Sequence, residues 1–555
     1  MKLLAVCLGA LVSQVICSSA ATKVLLRKPS FWSAKNIFIS VMIPDISSHT
    51  TWVLEIGNEL ASRGHNVTFL CTTGSEKYLR DYPSINLLTM GESPLVINRT
   101  HAAELQANFK DTLSFPKWFL RTVNSNLRSE FKQYSDYIAK YKPDIFLCDD
   151  FADSCMRAAE EHKIPFIATS TTARGPLKVK PDTDAPFIND LLLGEPTTEY
   201  LSIWTRFINR YIKENVIYRM AWSIMNENTP VRKELGLKSA KYVYSRKMDD
   251  SVKLINNFFG LEPARPLGPL VRFIGPIMPS SYPALDGATS AFLESHQKLA
   301  YISFGHHAAP EVLDITKVLI ALFDSVESGV LDGFMWASVS LPAFPKHVVS
   351  SSGMVYNVTD MIQNGVKYEH YRFTKWAAQF AILTHPSTEL FLTHGGANSI
   401  FESLYSGTKM LVHPFFTDQP QNARMLQLSG AALTYNRQTI KAKEIADLLR
   451  RIVEDDDHTF QKGVNRLSAI VQLRAADAVR NGAAAVEEVL FASDEDDLPH
   501  LYEASRNMNY LKANNIDISL LLVAVVGGIM ASIYMITKQL ISYLMTCSDT
   551  KIKLE

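Results

Sequence analysis

A short segment in the second half of the chain combines two glycines with side chains that suit a phosphate group. It reads THGGANS (393–399) and follows an apolar run, so a buried strand is expected to end at Thr393. The two glycines permit a tight turn and a close approach of the backbone to a ligand. Asn398 and Ser399 are good N-cap residues, so we expect a helix to start near them. The free amides of a helix start bind diphosphate groups, and His394 could add a donor.

The elements that would position this segment alternate between strands and helices. The apolar run 36–43 predicts a buried strand, and a helical pattern follows it and ends at Gly64. Residues 66–71 predict the next strand, which completes a βαβ unit with a right-handed crossover. Strand signals at 144–148 and 165–169 flank a further helix. This alternation predicts a parallel sheet in the first half of the chain.

A second strand series begins near Phe273 and predicts a second domain of the same kind. A stretch rich in Pro, Ser and Gly at 276–287 indicates a linker. Ligands of such sheets bind at the carboxyl ends of the strands, so a cleft between the two domains is the natural site. The further strands of the second series are predicted at 300–304, 334–339, 390–393, 410–412 and 432–435.

Length and charge limit the classes of protein to consider. A chain of 555 residues is too long for one compact core and suits two or three domains. Its formal net charge is zero, which argues against a nucleic-acid binder. The acidic runs at 454–457 and 494–497 are interpreted as solvated loops, and the Asp-x-Asp at 455–457 is therefore discounted as a metal site.

Apolar segments at both ends predict a secretory signal and a membrane anchor. A basic start, an apolar stretch and small residues predict a signal peptide at 1–20, with an uncleaved anchor as the alternative. The charge-free run 518–536 spans about 28 Å, enough for a bilayer core. Lys538 and the tail that follows place residues 537–555 in the cytosol. Lys551 and Lys553 resemble a dilysine retrieval signal, so we predict a single-pass endoplasmic reticulum protein with a lumenal body.

Cysteine usage gives no disulfide framework for a body of this size. Cys71, Cys148 and Cys155 would lie in an oxidising lumen. We interpret Cys71 and Cys148 as buried strand thiols. A glycoprotein is expected, with Asn66 unmodified because it lies in a predicted strand and Asn98 in a loop. Glycosylation sequons occur at Asn66, Asn98 and Asn357.

The order of residues across 373–435 resembles the donor-binding signature of the UDP-glycosyltransferases. That signature runs W…Q, HP, HGG-NS, E, P…DQ…N, and this chain matches it across about sixty residues. The family is inverting and includes UDP-glucuronosyltransferases and their UDP-glucosyl relatives. The resemblance implies an α/β GT-B fold, in which two tandem Rossmann-like domains face each other across a cleft, with a C-terminal transmembrane helix. It implies no cofactor and no metal, because the UDP-sugar is a co-substrate.

The resemblance also implies a role for each matched side chain in holding the donor. Stacking on uracil needs a flat aromatic ring, a ribose diol suits a carboxylate, and sugar hydroxyls suit an Asp/Gln pair. The implied contacts are Trp376 with uracil, Gln379 with base or ribose, His394, Gly396, Asn398 and Ser399 with the diphosphate, Glu402 with the ribose, and Asp418 and Gln419 with the transferred sugar.

Two residues in the first half match the family's catalytic pair. His49 follows the first strand, where the family places its base, and Asp149 ends the strand at 144–148, where the family places the acid. A histidine suits general-base work near neutral pH, and a carboxylate on its other nitrogen would fix the tautomer. Asp150 is adjacent and could take the role of Asp149. The implied reaction is a single displacement with inversion.

Two positions depart from the family pattern. Ala378 stands where the family usually has Pro, which should only loosen that turn. Gly305-His306-His307 stands where relatives continue Gly-Ser, and this candidate phosphate loop puts donor affinity in doubt. The loop motivates an alternative function, a non-catalytic UDP-sugar-binding membrane protein that regulates an active relative. A dinucleotide oxidoreductase is set aside, because G-x-G-x-x-G does not follow the first strand.

The sequence therefore predicts a UDP-hexosyl transferase that acts on a small lipophilic alcohol, phenol or sterol. Glucose is favoured as the donor sugar, since no group in the signature demands a carboxylate partner. Aromatic residues in the helical region 175–265 are expected to be mostly core, and some could line the acceptor pocket. The oligomeric state, including a homo-oligomer, is left open. The predicted layout is signal 1–20, acceptor domain 21–275, linker 276–298, donor domain 299–500, juxtamembrane segment 501–517, transmembrane helix 518–536 and tail 537–555.

Overall fold

The computed structural model contains two large parallel sheets. It describes residues 32–95, 114–172, 197–237, 250–305, 308, 310–340, 343–493 and 497–552. The first sheet has the strand order β3-β2-β1-β4-β5-β6-β7, with every neighbouring pair parallel. Its strands are β1 (Asn36–Val41), β2 (Asn66–Cys71), β3 (Asn86–Thr89), β4 (Ile145–Asp149), β5 (Phe166–Ser170), β6 (Val252–Ile255) and β7 (Val271–Phe273).

Helices connect most of these strands, as is usual for parallel pairing, whereas β6 and β7 are joined by a loop. A 3₁₀ turn at Glu76–Asp81 and a π-helical turn at Asn209–Lys213 accompany them. The helices of this half are α1 (Ser47–Ser62), α2 (Ser114–Val123), α3 (Leu127–Tyr141), α4 (Asp153–Glu161), α5 (Ile203–Ile208), α6 (Glu214–Glu227) and α7 (Thr229–Glu234).

The second sheet repeats this arrangement with six parallel strands in the order β12-β9-β8-β13-β14-β15. They are β8 (Leu299–Ser303), β9 (Gly333–Trp336), β12 (Tyr371–Phe373), β13 (Thr388–Thr393), β14 (Lys409–Val412) and β15 (Ala432–Thr434), with an antiparallel hairpin of β10 (His347–Val349) and β11 (Val355–Asn357) beside them. The helices are α8 (Gly287–Glu294), α9 (Val312–Glu327), α10 (Val358–Gln363), α11 (Gln379–Leu383), α12 (Ala397–Ser406), α13 (Gln419–Leu428), α14 (Ala442–Glu454), α15 (Thr459–Ala492), α16 (Tyr510–Ala513) and α17 (Ile516–Ile552).

Both sheets reverse their strand order at one point, and these points position the site. In the first sheet the reversal lies between β1 and β4, and in the second it lies between β8 and β13. Ligands of doubly wound sheets bind outside the carboxyl ends of the strands at such a switch point. The segments that follow β1, β4, β8 and β13 contain His49, Asp150, Gly305 and His394, respectively.

The long helix α15 joins the two halves of the protein. Its first part packs against the second sheet through Val464, Leu467 and Val471, whereas Val486 and Val489 belong to the core of the first sheet. Gly482 allows close packing on α1, because a Cβ there would lie 2.6 Å from Ile56 Cδ1, a contact closer than van der Waals packing permits. The chain thus returns to its first domain before it ends.

Further bonds reinforce this return. Arg474 in α15 donates to the carbonyl oxygens of Phe273 and Gly275, at 2.6 and 2.9 Å. Later in the same helix, Glu488 forms a two-pronged ion pair with Arg272, with both distances 2.7 Å. The relative position of the two halves is therefore held by the helix as well as by the linker.

Three sequence-based expectations about these elements need correction. The strand at Phe273 is the last of the first sheet and does not begin the second, because Val271–Phe273 pairs with β6. Helix α12 begins at Ala397 with Gly396 as its N-cap, so Asn398 and Ser399 lie in its first turn. Asp455 is buried and does not lie in a solvated loop, because its carboxylate accepts from the amides of Phe460 and Gln461 at the start of α15.

The C-terminal helix α17 is apolar, and its side chains are exposed from Asp517 to Met545. Within the described residues it is the one helix that is long and apolar enough to cross a membrane, and its apolar part is Ile516–Met545. This span is longer than the predicted 518–536, because apolar residues continue past Lys538. An exposed apolar helix of this length suits a lipid environment.

Candidate functional site

His49 and Asp149 meet at the switch point of the first sheet. His49 lies in the first turn of α1, and Asp149 is the last residue of β4. Their side chains contact through His49 Nδ1 and Asp149 Oδ2 at 2.6 Å. Asp149 is fully buried, and its second oxygen accepts from the amide of Phe151. A buried carboxylate on Nδ1 leaves Nε2 of His49 as the nitrogen that can take a proton.

Asp150 completes a group of three polar side chains that we call the base cluster (His49, Asp149 and Asp150). One ring nitrogen and one oxygen from each carboxyl all lie within 4.8 Å of one another, and within the described residues this is the one such group close enough to hold a metal ion. The 2.6 Å contact between His49 and Asp149 is a hydrogen-bond distance. Of the two adjacent acids, Asp149 is therefore the one whose carboxyl is in hydrogen-bond contact with His49.

The base cluster shifts the proton equilibria of its members. Burial lowers the pKa of His49, but the charges of Asp149, Asp150 and Asp418 and the bond to Asp149 outweigh burial and raise that pKa to about 9. Burial and the charge of Asp149 raise the pKa of Asp150 to about 7, against the opposite effects of His49 and Ser170. The pKa values of both groups therefore lie within about two units of neutral pH.

A disulfide brackets the turn that carries the two acids. Cys148 is bonded to Cys155, with 5.9 Å between their Cα atoms. The expectation of a free Cys148 thiol is wrong, because the turn after β4 brings the start of α4 back beside the end of the strand. Cys71 is a buried free thiol, as expected. The disulfide constrains the short turn that contains Asp149 and Asp150.

The glycine turn after β13 brings the His394 ring against the start of α12. A Cβ on Gly396 would lie 2.4 Å from His394 Nε2, so only glycine leaves room for the ring. Gly395 has a φ of 85°, and a Cβ there would meet Val412 at 2.8 Å. The backbone amides of Asn398 and Ser399 lie in the first turn of α12, where a helix has free donors. This arrangement can bind a diphosphate.

Asn422 joins this turn to the segment of Asp418 and Gln419. Its side-chain amide is buried and donates to the Gly395 carbonyl at 3.0 Å and to Asp418 Oδ2 at 2.8 Å. Gln419 Oε1 accepts from the backbone amides of Phe415 and Phe416. The free side of Gln419 is therefore its NH₂ group, which can donate to a sugar hydroxyl.

Glu402 and Gln379 lie together on the side of the site predicted to hold a nucleoside. Gln379 Nε2 donates to Glu402 Oε2 at 2.7 Å and to Ser399 Oγ at 3.2 Å. Burial raises the pKa of Glu402 to about 7, although hydrogen bonds from Gln379 and Tyr282 act in the opposite direction. Trp376 is 59% exposed, so its ring is open to a stacking partner.

Tyr282 is a site residue that the sequence did not reveal. It lies in the predicted linker, stacks on Phe380 with 4.2 Å between ring centroids, and hydrogen-bonds Glu402. Two residues away, the amide of Ser280 donates to Glu55 of α1 at 2.9 Å. The linker therefore contacts both halves of the protein beside the nucleoside side of the site, and no spacing in the sequence marks it.

Aromatic rings flank the base cluster on the other side. The rings of His49 and Phe151 are 5.5 Å apart, and Phe119 of α2 packs edge-on against Phe151 at 5.0 Å. These half-buried rings were not identified from the sequence. These two rings form an apolar surface beside His49.

The aromatic residues of the helical region 197–237 are mostly not core, which corrects the expectation. Tyr200 is 68% and Trp204 is 73% exposed, and Phe207, Tyr211 and Trp222 are exposed as well. Tyr200 precedes α5, and the other four lie on α5, the π-helical turn and α6 with their side chains exposed to solvent. The candidate phosphate loop is described only in part. Gly305 has a φ of 69°, and a Cβ there would lie 3.0 Å from the His394 ring, whereas His306 and His307 lie outside the described residues.

Known proteins are similar to this chain in sequence and in fold. The model of the family "UDP-glucoronosyl and UDP-glucosyl transferase" matches residues 39–554. UDP-glycosyltransferase stmC of Aspergillus ustus is 28% identical over 509 residues, 86% of this chain and 92% of that protein. UDP-glucuronosyltransferase 2B7 of Homo sapiens is 23% identical over 523 residues, 88% of this chain and 90% of that protein. The crystal structure of the glycotransferase of kitacinnamycin superposes with a TM-score of 0.57 at 16% identity, covering 82% of this chain and 99% of that one. The predicted GT-B fold is confirmed.

Proposed function

The chain belongs to the family of UDP-glucuronosyl and UDP-glucosyl transferases, and from this premise we propose how it carries out its reaction. It is a glycosyltransferase that takes its sugar from a UDP-sugar donor. We propose that His49 is the general base, and that the hexosyl group passes to a hydroxyl of a small lipophilic acceptor with inversion. The observation that carries this proposal is the 2.6 Å contact between His49 Nδ1 and the buried Asp149.

In the proposed reaction, Nε2 of His49 removes the proton of the acceptor hydroxyl. The acceptor oxygen then forms a bond to the anomeric carbon while the bond from that carbon to the UDP oxygen breaks. Asp149 stabilises the imidazolium that results, and UDP leaves with the bonding electrons. The first-turn amides of α12 and the His394 side chain meet the negative charge that develops on the diphosphate.

The acceptor is proposed to be largely apolar because of the rings beside the base. Phe151 and Phe119 can cover a hydrophobic ring or chain whose hydroxyl reaches His49. The exposed apolar helix α17 suits a membrane, and a lipid phase concentrates such compounds. A sterol, a phenol or a lipid-like alcohol meets these requirements, and glucose is the proposed hexose.

The body is proposed to lie in the lumen of the endoplasmic reticulum. The disulfide between Cys148 and Cys155 supports an oxidising compartment, because such bonds rarely persist in the cytosol. The helix α17 would then be the single span, with the basic tail in the cytosol. Protection of the body from added protease in sealed microsomes tests this orientation, and degradation of the body in intact vesicles would contradict it.

The test of the reaction is transfer of labelled sugar from a panel of UDP-sugars to sterol and phenol acceptors. Membranes that carry the wild type, His49→Ala or His162→Ala would be compared, since His162 is an exposed histidine of the same domain. We expect transfer from one donor, lost in His49→Ala and kept in His162→Ala, with the opposite anomeric configuration in the product by NMR. Full activity of His49→Ala would exclude the proposed base. Absence of transfer where UDP still binds would favour the non-catalytic alternative.

A further inference from the structure

Asp150 is buried in the base cluster without a direct bond to His49. Its backbone amide donates to the Thr169 carbonyl at 3.0 Å, and its Oδ2 accepts from Ser170 Oγ at 2.8 Å. Its other oxygen, Oδ1, is buried and has no hydrogen-bond partner among the described residues. A buried carboxyl oxygen without a hydrogen-bond partner lowers the stability of the fold. Its presence beside His49 therefore points to a role in the site.

We propose that Asp150 is a positioning residue whose charge decides whether His49 is free to take a proton. This inference rests on the proposed function, in which His49 is the base. Asp150 acts through space, since one of its oxygens lies within 4.8 Å of a ring nitrogen of His49. It needs no contact with the acceptor or the donor.

The argument starts from where one proton resides. With Asp149 ionised, the cluster can hold one further proton either on His49 or on Asp150. If Asp150 is ionised, two carboxylates face the ring and His49 keeps the proton, which prevents it from acting as a base. If Asp150 holds the proton as a neutral acid, His49 faces one carboxylate and is free. The two arrangements have the same total charge and exchange through a coupled equilibrium.

The other charged groups around the cluster do not replace this effect. The charge of Asp418, in the second domain, also favours the protonated ring of His49, as the two carboxylates of the turn do. Tyr134 of α3 lies near Asp149, but burial holds its pKa above the usual value, so it stays neutral. Ser170 favours the ionised form of Asp150 through its hydrogen bond. The proton distribution therefore depends on Asp150 and on its bond to Ser170.

The test uses Asp150→Asn, which keeps the shape of the side chain and the acceptor for Ser170 but carries no charge. The acid limb of the pH profile of kcat/KM is expected to move to lower pH by about 1–2 units, because a carboxylate at this distance has been removed. Ser170→Ala is expected to move the limb in the same direction by less. Asp136→Asn, the same charge change on the exposed face of α3, is expected to leave the profile unchanged.

A second measurement reads the proton on His49 without any transfer reaction. Diethyl pyrocarbonate reacts with the neutral imidazole, and mass spectrometry of the peptide that contains His49 gives the pH at which modification is half maximal. This midpoint should fall in full-length Asp150→Asn by the same shift as the kinetic limb. An unchanged midpoint, or a uniform loss of activity without a shift, would overturn the proposal. If the midpoint shifts in Asp150→Asn but the wild-type protein transfers no sugar, the proposed function is rejected and the effect of the Asp150 charge on His49 is supported.

Discussion

Asn422 offers the sharpest test of how the donor half is organised. Its buried amide holds the glycine turn at Gly395 and the carboxylate of Asp418 at the same time. In Asn422→Ala both acceptors lose their donor, and the Gly395 carbonyl lies in a turn that places His394 against α12. The substitution should therefore loosen the diphosphate side and the sugar side of the site together.

The size of the effect follows from the two bonds. A hydrogen bond to a neutral carbonyl contributes about 0.5–1.5 kcal/mol and one to a carboxylate about 1.5–3 kcal/mol. Their loss amounts to about 2–4.5 kcal/mol, which is about 30- to 2,000-fold in an equilibrium or rate constant. Part of this loss will lower the stability of the fold and part will lower kcat/KM for the UDP-sugar.

The assay separates these two parts. Initial rates at varied UDP-sugar give kcat/KM, thermal unfolding of the solubilised full chain gives Tm, and Asn465→Ala on the exposed face of α15 serves as the control. The same substitution is then made in Asp418→Ala. If Asn422 acts largely through Asp418, the two losses will not add. Strictly additive losses, or an unchanged kcat/KM in Asn422→Ala, would refute the reasoning.

Three further outcomes follow from the structure. Because burial raises the pKa of Glu402 to about 7, uridine affinity should fall about tenfold from pH 8 to pH 6, and Glu402→Gln should remove this dependence. A wild-type uridine affinity that does not change with pH, measured by calorimetry, would contradict this prediction. Gly463→Ala should destabilise the fold by about 1–3 kcal/mol, because its Cβ would lie 2.3 Å from the Gly430 carbonyl oxygen. Gly287→Ala places its Cβ in open space and should leave the stability unchanged. Equal Tm values for the two variants would contradict this prediction. Cys155→Ser should cost about 2 kcal/mol in urea unfolding for a loop of this length, and an unchanged midpoint would show that the disulfide does not stabilise the native state.

The strands that carry the site were the most predictable part of the fold. Short apolar runs at 66–71, 390–393 and 410–412 lie within two residues of the observed strands, because a strand buried on both faces must be apolar throughout. Two edge strands escaped prediction. Asn86–Thr89 is mostly exposed and Tyr371–Phe373 has three residues, so neither has a long apolar run.

Side-chain partnerships were predictable only where a family motif specified them. The spacing of His49 and Asp149 across a hundred residues has no local signal, and the resemblance supplied the pair. Asn422 is the last residue of the family motif and could be identified from the sequence. Its hydrogen bond to Gly395 depends on how α13 packs beside the turn. Tyr282 lies in a stretch that reads as a linker, so its contact with Glu402 follows from tertiary packing alone.

The charges that act on His49 and those at the diphosphate site have opposite signs, and this opposition suits the proposed displacement. The carboxylates of Asp149 and Asp418 act on His49, whereas free amides lie at the positive end of α12. As the bond to UDP breaks, positive charge develops on the sugar and negative charge on the diphosphate. Each charge then faces fixed groups that favour it, and these groups need no reorganisation at the moment of reaction.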